Sequence, residues 1–171
     1  MPPHPPVNAS GGFIAFAKAF HLFSVAVTLC GLNEYVRYIA ELDFGMGMPT
    51  ISKNPVYVVE GGTANKLLFN LIPFGIWYAQ HMGMARTSYK DFMQKLTEKY
   101  VFFERSLYIL FSGIAVFILT YTFQPIEGVL IELPEPVMLF GWGLFVAGLG
   151  VFAWSIIDMG ETGPFGFGIM N

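Results

Sequence analysis

The sequence predicts an all-α integral membrane bundle: four transmembrane helices and an amphipathic connector lying in the membrane interface. Three observations predict it. Hydrophobic residues make up 54% of the 171 residues and charged residues only 12%, against roughly a quarter charged in a soluble domain. Apolar runs near the ~20 residues needed to cross a bilayer alternate with stretches rich in Gly, Pro or charge. Five of the nine Lys and Arg residues, Arg86, Lys90, Lys95, Lys99 and Arg105, fall in the single stretch 78–110 between two apolar runs.

Residues 1–12 are rich in Pro and Gly and read as an extended tail that does not enter a helix. Residues 13–157 form the four-helix membrane domain, and 158–171 a Gly-rich C-terminal tail. The first helix runs over 13–38. Its apolar centre is short, so it reaches spanning length only by taking in His21 and Asn33. Glu34 and Arg37 stand three apart near its end, the spacing of a helical ion pair. Cys30 lies in this apolar run and reads as buried packing.

Residues 39–64 carry Gly45, Gly47, Pro49, Pro55, Gly61 and Gly62 and form a loop long enough to cover the helix ends, with a short extended piece at 56–59. The second helix, 65–85, contains Pro73, a position expected to kink it. In the connector, Tyr89, Phe92, Met93, Leu96 and Tyr100 recur at three- and four-residue spacing, with Lys90, Lys95 and Lys99 on other faces. That is the pattern of a helix lying in the interface. The third helix, 106–123, has no charge, and its Ser112-Gly113 pair offers a place for another helix to approach closely. The acidic loop 124–136 leads to the fourth helix, 137–157, with Gly141, Gly143, Gly148 and Gly150.

With four helices both termini lie on the connector's side, which then holds six Lys and Arg against three on the other. The connector is therefore expected to face the cytoplasm, matrix or stroma. The lone cysteine excludes an internal disulfide, and a net charge of −3 gives no reason to expect a nucleic-acid partner. The sequence has no zinc spacing, phosphate loop or nucleophile elbow.

His21 and His81 are the ionisable groups set deepest in the spans, and both fall toward the basic side at similar depth. Two readings stand. They ligate a b-type haem or a pigment between neighbouring helices, or each hydrogen-bonds a neighbouring helix, a lipid or a cofactor headgroup near the interface. Arg86, Lys90, Lys95, Lys99 and Arg105 are candidates for binding anionic lipid or a partner subunit. Glu104 is expected to pair with Arg86 or Lys99, and Glu34 with Arg37. No catalytic or metal-ligating set emerges.

Gln80-His81, Met84-Ala85-Arg86 and Lys90, followed by Glu104-Arg105-Ser106-x-Tyr108-x-Leu110-x-Ser112, resemble the methanethiol S-methyltransferase family. That family groups with NnrU-like and isoprenylcysteine carboxyl methyltransferase-like membrane proteins. Pro49-Thr50-Ile51, Gln124-Pro125-Ile126 and Ile157-Asp158 with Gly160 extend the resemblance along the chain. Met82 and Thr87 stand where the family has Ser and Pro, and Phe123-Gln124 where it has Trp-Arg. The family's methyl-donor strings, Arg-His-Pro-x-Tyr and a late Glu-Glu pair, do not occur in these residues. The resemblance thus implies the family's N-terminal half without its catalytic half. On this reading the chain is a non-catalytic accessory subunit of a larger respiratory, ATP synthase or photosynthetic membrane complex. Its expected place is the mitochondrial inner membrane, or alternatively a thylakoid or bacterial inner membrane. A small membrane methyltransferase, or a half-enzyme completed by a partner, is the alternative.

Overall fold

The computed structural model describes residues 11–53, 55–96, 101–126 and 133–158. Five helices occur there: α1 Gly11–Ile39, α2 Thr63–Ala85, α3 Thr87–Leu96, α4 Val101–Thr122 and α5 Glu135–Asp158. No strand occurs among the described residues, so the expected extended piece at 56–59 is irregular loop. The chain divides into two units, Met1–Glu127 and Gly128–Asn171.

In the first unit α4 is the hub, packed by α1 on one side and α2 on another. The buried positions of α1, Ala17, His21, Ser24, Val25, Thr28 and Gly31, recur every three or four residues and form one stripe. Most are small or polar. Inside a bilayer lipid is as apolar as Leu, so helices are held by close backbone approach and hydrogen bonds instead. The Thr28 hydroxyl donates to the Ile109 carbonyl at 2.6 Å. A Cβ added to Gly31 would lie 3.0 Å from the Gly113 carbonyl oxygen. Helices α1 and α4 run parallel, since His21 meets Ser106 near one end and Glu34 meets Tyr121 near the other. Helix α2 runs antiparallel to α4, from Asn70 beside Gln124 to His81 beside Tyr108.

Among the described residues three helical segments are long and apolar enough to cross a membrane: Gly11–Ile39, Phe103–Thr122 and Glu135–Ser155. The sequence expected four. Helix α2 has the length, 23 residues, but Asn65, Lys66, Asn70, Gln80 and His81 dilute its apolarity. Helix ends also move. Gly11 and Gly12 belong to α1 rather than to a non-helical tail, because each added residue closes a backbone bond that offsets a Gly penalty of about 1 kcal/mol. Helix α4 begins at Val101, five residues early, and so takes in Glu104 in its first turn, where a carboxylate suits the positive helix end. Cys30 is exposed on α1, facing away from α4, so it is not core packing. Pro73 is buried within α2. Arg86, in extended conformation, separates α2 from α3.

In the second unit α5 is apolar from Val137 to Ile157 apart from Ser155, whose hydroxyl donates to the Val151 carbonyl. Pro136 sits in its first turn, where a missing N–H costs nothing.

Candidate functional site: the polar seams of α4

Two seams of polar side chains run along α4, one facing α1 and one facing α2. On the α1 side His21 and Ser106 are both fully buried, with His21 Nδ1 2.9 Å from the Ser106 hydroxyl. On the α2 side Gln80 Nε2 donates to the Ser112 hydroxyl at 3.1 Å. The Tyr108 hydroxyl lies 3.0 Å from the His81 imidazole, which stacks on Trp77 at 5.2 Å. The expected small pair therefore divides its work: Gly113 admits α1, while Ser112 bonds α2.

His21 and His81 do lie at similar depth, since their partners are two residues apart on α4, a rise of about 3 Å. They are not brought together. Positions 106 and 108 are separated by about 200° around a helix with 3.6 residues per turn. The two imidazoles thus sit on different sides of α4. His21 already spends its Nδ1 on Ser106, whereas His81 is exposed. Among the described residues no group of three or more His, Cys, Asp or Glu gathers as a metal site.

The basic stretch separates into parts. Arg86 and Lys95 are exposed, Lys90 is half-buried, and Lys99 lies outside the described residues. Glu104 is buried, with the charges of Lys90 and Arg105 nearby. Burial pushes the Tyr89 hydroxyl above its ordinary value, and the neighbouring Glu104 carboxylate pushes the same way. Exposed Phe92 beside buried Met93 gives α3 its two faces. The Glu34–Arg37 pair forms as the spacing required, at 3.0 Å.

A further polar cluster closes the opposite end of the unit. Asn70 and Gln124 exchange two hydrogen bonds, Asn70 Nδ2 to the Gln124 carbonyl at 2.9 Å and Gln124 N to Asn70 Oδ1 at 2.6 Å. The Gln124 side chain accepts from the Val59 amide and donates to the Tyr57 carbonyl, pinning the 40–62 loop. Sequence reasoning assigned Asn70 and Gln124 no role. The available signal was polarity: amides inside or abutting apolar runs must find partners.

No family model and no solved structure matches this chain. It is similar to Methanethiol S-methyltransferase 1 of Bradyrhizobium diazoefficiens, with 27% identity over 118 residues. The relation to a methyltransferase-like membrane family is distant. The match covers 67% of this chain and 41% of that protein, so the chain spans less than half of the relative's length. The strings that carried the resemblance are those in which α2 and α4 hold one another: Gln80 and His81 on one helix, Tyr108 and Ser112 on the other.

Proposed function

We propose that this chain is a membrane-embedded, methyltransferase-like protein acting on a small thiol that partitions into the bilayer. The observation that carries this reading is the 118-residue similarity to a methanethiol S-methyltransferase. In it α2 is a fourth span: 23 residues at about 1.5 Å each reach roughly 34 Å, with Asn70 and Gln80 turned onto α4. Arg86, Lys90 and Lys95 then stand at the headgroup level, where anionic lipid meets them. His81, exposed and held by Tyr108, is the group in the α2 seam fitted to take the proton a thiol loses on methylation. The sulfonium of S-adenosylmethionine would supply the methyl group, and no described residue is assigned to hold it.

The rival, a non-catalytic subunit of a respiratory, ATP synthase or photosynthetic complex, draws no support from the comparison, and neither does a mitochondrial location. The relative is bacterial. Purified protein in detergent, given labelled S-adenosylmethionine and methanethiol, should release labelled dimethyl sulfide, and His81→Ala should slow the release at least tenfold. A folded preparation that neither binds the donor nor forms product, yet copurifies with fixed companion chains, returns the reading to an accessory subunit.

A further inference from the structure

Three buried side-chain polar atoms lack a hydrogen-bond partner among the described residues: Arg37 Nη2, Tyr38 Oη and Thr50 Oγ1. Their residues are only 5%, 3% and 2% exposed. One strap of chain packs its backbone against the residues of α1 that carry two of them. The Pro49 carbonyl accepts from Arg37 Nη1 at 3.1 Å, and the Ile51 amide donates to the Tyr38 carbonyl at 3.2 Å. Thr50 is therefore fixed between the two points where the strap is pinned to the end of α1. Orphaned polar groups this deep are rare in folded proteins, and each carries the desolvation cost of an unmade bond. The strap is also strained: Glu41 and Phe44, neither of them glycine, hold φ of 57° and 53°. Backbone strain of this kind collects at ligand clamps.

The unmet groups define the ligand's chemistry. A guanidinium only donates, and the Tyr and Thr hydroxyls can donate as well as accept, so a group with several acceptor oxygens could satisfy all three. Arg37 Nε is already spent on Glu34, whose carboxylate also accepts from the Tyr121 hydroxyl. Nη2 is the open tooth of the fork. Asp43 is not its partner; the Asp43 Oδ1 accepts from the Gly45 amide at 2.7 Å. Leu42, Phe44 and Met46 project from the strap as exposed apolar side chains. That places the strap at the membrane surface where α1 ends.

We propose that the end of α1 and the strap of residues 40–53 form a phosphate-binding site, with Arg37, Tyr38 and Thr50 donating to the oxygens of one phosphate group. The group arrives on a phospholipid headgroup or as free phosphate. The strap lifts to admit it and closes over it, and the three orphaned atoms are then satisfied.

The test is thermal unfolding of the purified protein in uncharged detergent. One arm titrates sodium phosphate against sodium chloride at equal ionic strength, and the other titrates phosphatidylglycerol into the micelles. A saturable rise in Tm is expected, following mass action on the folded state. Stabilisation by lipid alone assigns the group to a headgroup, and stabilisation by phosphate alone assigns it to the free ion. Thr50→Val and Tyr38→Phe remove one hydroxyl each with little change of shape. Each should raise the apparent Kd about tenfold, near the ~1.4 kcal/mol of one lost bond, with Tm in chloride unchanged. No saturable rise in either arm means that ordered water fills the site, and the proposal fails. A rise of equal size and affinity in both variants places binding elsewhere and also overturns it.

Discussion

Thr28 of α1 and Gly113 of α4 mark a close approach of the two helices: a Cβ built on Gly113 would lie 2.8 Å from the Thr28 Cα. Backbone on one side and a hydrogen-bonded threonine on the other leave no flexible atom to yield. Gly113→Ala should therefore destabilise the unit by about 1–3 kcal/mol despite alanine's better helix propensity. Gly75→Ala in α2, where an added Cβ meets nothing within 4 Å, should be neutral or stabilise by up to about 1 kcal/mol. Thermal unfolding in one detergent compares the two. Equal effects would mean that the α1–α4 contact does not depend on that glycine.

The His21–Ser106 bond is wholly enclosed, so its loss cannot be made good by solvent. Ser106→Ala should cost about 1–3 kcal/mol. In a double-mutant cycle with His21→Leu the two losses should be non-additive by at least about 0.5 kcal/mol. Additive losses would show that the two side chains act independently.

Gln124 ties α4, α2 and the 40–62 loop at one point. Asn70→Ala strips two partners from the buried Gln124 backbone and should cost about 2–4 kcal/mol at 1–3 kcal/mol per unsatisfied group, partly relaxed. Hydrogen exchange at the Val59 amide should rise in Gln124→Ala, because that amide donates to the lost side chain. Unchanged protection at Val59 would place the anchor of the loop elsewhere.

Cys30 points away from α4, on a helix apolar enough to span a membrane. A thiol facing lipid is out of reach of a reagent confined to water. In intact membranes Cys30 should resist a membrane-impermeant maleimide, and it should label fully once the protein is unfolded in SDS. Rapid labelling in the intact membrane would place that face of α1 in water or in an aqueous cavity.

Much of the fold was legible because helices are local. The apolar runs marked α1, α2, α4 and α5, and the Glu34–Arg37 pair followed from spacing alone. The Gly-rich and Pro-rich stretch after α1 announced its loop. Local patterning misjudged what depends on the far side of a contact. Cys30 looks like core because its run is apolar, but an apolar side chain in a membrane helix is as well placed toward lipid as toward protein. Glu104 was expected to pair with Arg86 or Lys99; the charges near it among the described residues are those of Lys90 and Arg105, one brought from α3 by the fold and one adjacent in sequence.

The candidate sites divide in the same way. The sequence by itself determined that His21, His81, Gln80 and Ser112 are polar groups inside apolar runs and must find partners there. Only the tertiary structure decided which partners. Parallel packing of α1 and antiparallel packing of α2 on one central helix turned His21 to Ser106 and His81 to Tyr108, on different sides of α4. The same packing ended α1 beneath a strap that leaves Arg37 Nη2, Tyr38 Oη and Thr50 Oγ1 without hydrogen-bond partners among the described residues. Periodicity reports which face of a helix is buried, but the choice among buried partners is made by contacts distant in sequence, such as residue 37 against 49 and residue 70 against 124.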